Sequence, residues 1–314
     1  MTDATRTDPN VCYRHPNRQS WVLCQRCGRT ICPACQTPAA VGVHCPECVA
    51  EARAAAPRVR RASGNGFVRW LRAAFAPGSS APVVTWTIAA VCVVVFLLGY
   101  VVPYIPYYLA YIPLLTPEQP WRMLTMAFVH ANPLHIIFNM WALLVTGPAI
   151  EAILGRLRFL ALFLLATLGG AVAVLLIAPT MPLVLGASGA IFGLFGATFI
   201  IMRGLGQNPT MLVVVIVVNL VIGFLPGMNV AWQAHIGGLI IGGLVGWIIV
   251  ATRARRRAGL QTGLLLAVLA GLVALAALAI LAHHDLFDAV QQLRQVSPNA
   301  SPQIHQQVWR TTPL

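Results

Sequence analysis

The sequence predicts an all-α polytopic membrane protein preceded by a small zinc-binding domain, and three observations carry that expectation. Of its 314 residues 58% are hydrophobic and 9% charged, with a mean hydropathy of +0.76, so its apolar runs are too many for one soluble core. Those runs recur from residue 83 to residue 281, and arginines collect on alternate connections between them. Seven of the eight cysteines fall within residues 1–50. A net charge of +13 and a pI of about 10.3 raise the question of nucleic acid. The arginines sit between spans, however, and do not interleave with aromatics as a strand-binding groove requires, so no nucleic-acid partner is expected.

Residues 1–50 present Cys12-x2-His15, Cys24-x2-Cys27, Cys32-x2-Cys35 and Cys45-x2-Cys48. A pair two residues apart grips one ion from a tight knuckle, and tetrahedral zinc takes four ligands, so eight ligands imply two closed structural Zn2+ sites. Pairs one and three would share one ion and pairs two and four the other, although spacing alone leaves the pairing open, and His44 could stand in for Cys45. Disulfides fit seven cysteines and a histidine poorly, and a cytosolic face disfavours them. With few apolar residues, the unit would take its folding energy from metal. It resembles the B-box-like zinc fingers of protein-interaction modules, which implies a cytoplasmic protein partner and no part in catalysis.

Residues 51–80 read as a basic linker with Arg53, Arg58, Arg60, Arg61, Arg69 and Arg72, either an amphipathic segment on the membrane or a solvated tether near anionic headgroups. The first span runs from Val83 to Val102, with arginines before it and none after, which places the N-terminus in the cytoplasm. Pro103 to His130 is aromatic and proline-rich, an outer loop with Trp121-Arg122 near its end. Further spans cover Pro133–Ile150, Phe159–Ile177, Ser188–Met202, Thr210–Phe224, Trp232–Val250 and Leu260–Leu281. Within these bounds no Asp or Glu occurs, and the seventh span is expected to bury no polar group. The residues from 284 to 314 form an external tail. No secretory signal is expected, because the first apolar run begins beyond residue 80.

Gly186-Ala187-Ser188-Gly189 places a hydroxyl at the start of the fourth span. A serine there is usually only a packing residue, but histidine is costly in lipid, and two histidine-bearing spans offer partners. The arginine bias brings His135 and Asn139 on span two, Ser188 on span four and His235 on span six to the same outer leaflet. Gly238, Gly242 and Gly246 form a ridge-free stripe at four-residue spacing, as do Gly189, Gly193 and Ala197 on span four, and such faces allow close approach of two backbones. That approach pairs Ser188 with His235 as nucleophile and base. His135 and Asn139 then have donors to spare for an oxyanion, beside the Ser188 N–H. With no acidic third member, a Ser/His dyad follows, its imidazole held by packing.

Together, Trp121-Arg122, His130-x4-His135-x3-Asn139, Gly186-Ala-Ser-Gly189 and Ala234-His-x-Gly-Gly238 resemble the motifs of rhomboid intramembrane serine proteases. The resemblance covers residues 81–250 and implies a six-helix rhomboid core, to which the helix at 258–283 would be an addition. It implies Ser188 as nucleophile, His235 as base and His135 with Asn139 as oxyanion donors. It also implies a structural role for His130 and anchoring roles for Glu151 and Arg156. Substrates would be transmembrane proteins, cleaved near the outer face of the cell membrane without a cofactor. Where the family often carries tyrosine, four residues after the nucleophile, this chain has Phe192, whose ring can still stack on His235. A transporter, an inactive scaffold, or an anchor for the zinc unit are the competing readings; crowding of the polar residues in one leaflet and their convergence weigh against them.

Overall fold

The computed structural model describes residues 10–39, 42–55, 81–223 and 230–296. Most of the basic linker, residues 224–229 with the expected end of the fifth span at Phe224, and the tail beyond residue 296 therefore lie outside the described residues. The chain divides into two compact units, residues 1–69 and 70–314.

In the first unit, β1 (Val11–Cys12) pairs antiparallel with β2 (His15–Gln19), and β3 (Thr37–Pro38) with β4 (Val43–His44). A helix, α1 (Pro46–Ala55), follows. Strands of two residues cannot enclose a core of their own. The buried centre consists of Ile31 and the cysteines at 12, 24, 32, 35, 45 and 48.

The described elements of the second unit are helices, and the long apolar ones make the chain an all-α polytopic membrane protein. Among the described residues five helices are long and apolar enough to cross a membrane: α2 (Val83–Val101), α5 (Pro133–Leu154), α6 (Arg156–Ile177), α9 (Trp232–Ala251) and α10 (Ala258–Ala282). Two apolar helices are shorter, α7 (Ser188–Gly204) and α8 (Thr210–Gly223). Between α2 and α5 lie the short helices α3 (Tyr104–Leu109) and α4 (Arg122–Thr125), and α11 (His284–Val296) follows α10. Helix α6 is the most buried of the five long helices and α10 the least.

Helices α7 and α9 make the most extensive contact in the molecule, with α6 packed against both. Their facing positions are glycines for a steric reason. A Cβ on Gly242 would run into Cα and the carbonyl of Gly193, and one on Gly238 into the carbonyl of Gly189. Small residues here remove the side-chain layer that normally keeps helix axes 8–10 Å apart.

Two local features depart from the sequence reading. Helix α5 continues past Ile150 to Leu154 and so contains Glu151, which is buried. Its carboxylate accepts hydrogen bonds from the Val84 and Thr85 N–H groups at 2.9 and 2.8 Å and from Thr85 Oγ1 at 2.7 Å. The acid thereby caps the start of α2, where helix N–H groups lack partners and negative charge is favoured. Helix α10 does bury a polar group. Gln261 accepts from Arg158 Nε at 2.7 Å and donates to Thr252 Oγ1 at 2.8 Å and the Ile249 carbonyl at 3.2 Å, joining α10 to α6 and the end of α9. Apolar periodicity could not reveal it, because the partners come from other helices.

Substituting Gly242→Ala should lower the melting temperature of the detergent-solubilised protein, as overpacking costs about 1–3 kcal/mol. Gly263→Ala in α10, where a Cβ meets nothing within 4 Å, should leave it unchanged or raised. Equal melting temperatures for the two variants would contradict the close-packed α7–α9 contact.

Candidate active site and metal-ligating clusters

Helix α7 begins at Ser188 with no side-chain cap, so its first N–H groups are free of intrahelical partners. Gly186, two residues earlier, has φ of +116°, a conformation that L side chains rarely adopt. Its N–H donates to the Met126 carbonyl at 2.9 Å, while Tyr111 and Val184 exchange two backbone hydrogen bonds of 2.8 Å. These bonds fasten the strand leading into Ser188 to the 103–130 loop. Buried Arg122 organises that loop, donating to the carbonyls of Tyr107 and Ala110 and to Gln119 Oε1. Every one of those partners is local, so the guanidinium serves the loop's shape.

His235, in the first turns of α9, places Nε2 2.8 Å from Ser188 Oγ. Its ring lies flat on Phe192, with centroids 4.3 Å apart and planes 8° from parallel. Close packing sets its height: a Cβ on Gly170 would come within 2.8 Å of the Ala234 carbonyl, and one on Gly189 within 3.3 Å. Nδ1 of His235 is buried with no hydrogen-bond partner among the described residues. When Nε2 accepts a hydrogen bond from the serine hydroxyl, Nδ1 is the protonated nitrogen of the neutral ring.

His135 stands on the other side of the serine. The first turn of α5 is capped by Asn132, whose Oδ1 accepts from the His135 N–H at 2.8 Å, with Pro133 at the opening position. Nδ1 of His135 accepts from the Ala131 N–H at 3.4 Å, which leaves its proton on Nε2. That nitrogen faces Gly186: a Cβ there would lie 2.7 Å from Nε2 and 3.7 Å from Ser188 Oγ. The glycine thus keeps open a space bordered by the imidazole donor and the serine. Asn139, one turn along α5, donates Nδ2 to the His135 carbonyl at 2.8 Å, which uses one of its two amide hydrogens. His130 touches His135 edge-on, with ring centroids 5.2 Å apart.

Of the residues singled out in the sequence, Ser188 and His235 are in hydrogen-bond contact, His135 lines the opposite side, and Asn139 is bonded to the His135 backbone. Gln233, two residues before His235 on α9 and given no role by the sequence reading, is buried with Oε1 unpartnered among the described residues, as are Asn139 Oδ1 and both ring nitrogens of His130. Its only sequence signal is a polar residue in the first turn of an apolar span. Buried polar atoms are normally satisfied, so the unpaired ones on His235 and Asn139, beside Ser188 and His135, mark where water or substrate would be bound.

In the N-terminal unit, Cys12, His15, Cys32 and Cys35 form one cluster and Cys24, Cys27, Cys45 and Cys48 the other, each with its ligand atoms within 4.8 Å of one another. Nδ1 of His15 lies 3.7, 3.5 and 3.4 Å from the sulfurs of Cys12, Cys32 and Cys35. Sγ of Cys27 lies 3.7 Å from that of Cys45. Tetrahedral zinc with its usual bond lengths would set these edges at about 3.6 Å for N to S and about 3.8 Å for S to S. Each cluster could therefore coordinate a metal ion. Burial opposes a thiolate at Cys12 and Cys24, but surrounding backbone hydrogen bonds hold both down to about 6. Burial and neighbouring sulfurs push Cys35 up to about 11 and Cys48 to about 12. A thiolate already present in the cluster disfavours the next one, a repulsion that a bound dication would reverse. His44 belongs to neither cluster.

Residues 117–252 match the family model described as the Rhomboid domain. The rhomboid protease GluP of Bacillus subtilis (strain 168) is 36% identical over 137 residues, 41% of this chain and 26% of GluP. YdcA, a rhomboid of the same organism, is 31% identical over 140 residues, 43% of this chain and 70% of YdcA. The rhomboid protease GlpG of Haemophilus influenzae is 29% identical over 177 residues, 52% of this chain and 90% of GlpG. The chain thus spans only about a quarter of the length of GluP but more than two thirds of YdcA. The stretch matched by the family model holds Arg122, His130, His135, Asn139, Ser188 and His235, and with YdcA 31% identical over 70% of its length the chain belongs to the rhomboid family.

Proposed function

We propose that this protein cleaves transmembrane helices of other membrane proteins near the outer face of the cell membrane, with Ser188 as nucleophile and His235 as general base. The observation that carries the reading is the 2.8 Å contact between Ser188 Oγ and His235 Nε2 beside a backbone kept clear by Gly186. Oγ attacks the scissile carbonyl while Nε2 takes its proton, giving a tetrahedral intermediate. His135 Nε2–H, the remaining Asn139 amide hydrogen and the Ser188 N–H at the positive end of α7 stabilise its oxyanion. Collapse breaks the C–N bond, and His235 delivers the proton to the leaving amine. Water, activated by the same imidazole, then releases the acyl group from Ser188. No acidic residue touches His235 among the described residues, and Phe192 holds the ring in place of one.

In this reading α2 and α5 to α9 make a six-helix core and α10 is an added seventh crossing. The 17 residues of α7 span about 26 Å against ~30 Å of hydrocarbon, so a serine at its start can lie below the membrane surface. The arginine bias puts the N-terminal unit in the cytoplasm and the active site towards the outside. Two structural zinc ions, one held by Cys12, His15, Cys32 and Cys35 and one by Cys24, Cys27, Cys45 and Cys48, would replace a hydrophobic core. The unit offers a surface to a cytoplasmic partner and takes no part in the chemical step.

Ser188→Ala and His235→Ala should each abolish cleavage of a transmembrane substrate and labelling by a fluorophosphonate, while the protein remains extractable in folded form. Loss of an oxyanion donor in His135→Ala or Asn139→Ala should cost about 2.7–4 kcal/mol, a fall of about 10²–10³ in turnover. Substantial proteolysis by purified Ser188→Ala would sink the assignment.

Metal analysis of the purified protein should give two equivalents of zinc. Cys24→Ser should lose one and Cys12→Ser the other, and a chain beginning near residue 60 should still cleave a model substrate. A stable, inserted but inactive truncation would show that the unit is needed for catalysis. For orientation, single cysteines placed at positions 60 and 300 in intact cells should react with an impermeant reagent only at 300; the reverse pattern would overturn the topology.

A further inference from the structure

In the N-terminal unit three consecutive large apolar residues point into solvent: Trp21, Val22 and Leu23 are 72%, 41% and 48% exposed. A small domain short of apolar residues would bury such a tripeptide if its backbone were free to fold inward. The backbone prevents this. Ser20 Oγ, itself buried, donates to the Ile31 carbonyl at 2.7 Å, and the Ile31 N–H donates to the Val22 carbonyl at 2.8 Å. The Cys24 N–H donates to the Arg29 carbonyl at 2.9 Å, and Cys24 itself is turned inward as a ligand of the second cluster. The tripeptide is therefore a rigid, outward-facing apolar tip next to a metal knuckle.

Its surroundings are basic. Residues 10–55 carry five arginines, Arg14, Arg18, Arg26, Arg29 and Arg53, against two acids, Glu47 and Glu51. Glu47 is shared by Arg14 and Arg29, and Glu51 faces Arg26, whereas Arg18, three residues before the tip, is exposed and makes no ion pair among the described residues. The 25 residues from 56 to 80 add five more arginines and no acid. The chain then enters α2 at Val83. At full extension the sequence between Ala55 and Val83 reaches at most about 100 Å, so the tip is never far from a bilayer. Tethering of this kind turns a weak surface affinity into an effectively intramolecular one.

We infer that Trp21, Val22 and Leu23 dock the N-terminal unit onto an anionic lipid surface, the tip entering the interface while the surrounding arginines meet the headgroups. Tryptophan is suited to that depth, and each basic residue near an anionic surface adds attraction that salt screens. Docking would hold the unit at the membrane whichever side it occupies, so the inference is independent of the protease reading.

The test uses the full zinc-loaded chain carrying Ser188→Ala, so that proteolysis plays no part in the readout. Hydrogen exchange of the peptide containing residues 20–24 is compared in detergent, in nanodiscs of phosphatidylcholine, and in nanodiscs that also contain phosphatidylglycerol. Exchange about tenfold slower in the phosphatidylglycerol discs is expected, with the protection lost in the Trp21→Ser/Leu23→Ser double variant and weakened by salt. The substituted side chains are exposed, so the variant should keep two equivalents of zinc, which serves as its folding control. No protection in either disc would overturn the inference and leave the tip to a protein partner. Equal protection in detergent would overturn it in favour of packing against the chain itself, and equal protection in phosphatidylcholine alone would overturn the choice of an anionic surface.

Discussion

The close approach of α7 and α9 is the constraint on which the membrane unit depends. Gly238 and Gly242 on α9 meet the backbone of Gly189 and Gly193 on α7, and a Cβ on either α9 glycine would collide with it. In lipid, where apolar surface gains nothing by leaving the tails, such association rests on van der Waals fit and polar contacts. Because Ser188 opens one of these helices and His235 lies in the first turns of the other, the same contact sets the distance between them. Packing and chemistry are here a single geometric fact. Phe192, one turn after Ser188, completes it by holding the imidazole plane.

Polar groups in the unit divide into two kinds. Those that shape it are paired: Arg122 with carbonyls of its own loop, Glu151 with the first N–H groups of α2, Gln261 with Arg158 and Thr252. Burial without such partners would cost several kcal/mol per group, on the order expected for isolated charges and amides. The others, on His130, Asn139, Gln233 and His235, retain unpaired buried atoms among the described residues. A protein tolerates that cost where the missing partners arrive with water or substrate.

The N-terminal unit solves a different problem. Its strands of two and five residues and one helix bury little beyond Ile31 and six sulfurs, so metal held by its two clusters would stand in for hydrophobic enclosure. A framework of that kind can afford to leave Trp21 outside, since its stability does not depend on covering it.

Spacing and composition alone determined the membrane class, the cysteine and histidine pairs, and the candidates Ser188, His235, His135 and Asn139, because ligand spacing, apolar run length and the rarity of histidine in lipid are local signals. The glycine faces of α7 and α9 were also legible, as small residues at a four-residue period need no partner to be seen. Which pairs of cysteines share a cluster was open until the strands brought Cys12 and His15 to Cys32 and Cys35. The tautomer of His135 depends on the Ala131 N–H, the burial of Gln233 on its neighbours, and the pairing of Gln261 on Arg158 more than 100 residues away in sequence. Helix α5 outran its expected end because Glu151, a residue that reads as the edge of a span, finds its compensation at the start of another helix. A one-dimensional pattern records what each residue prefers; only the fold supplies the partner that lets a buried polar group keep its place.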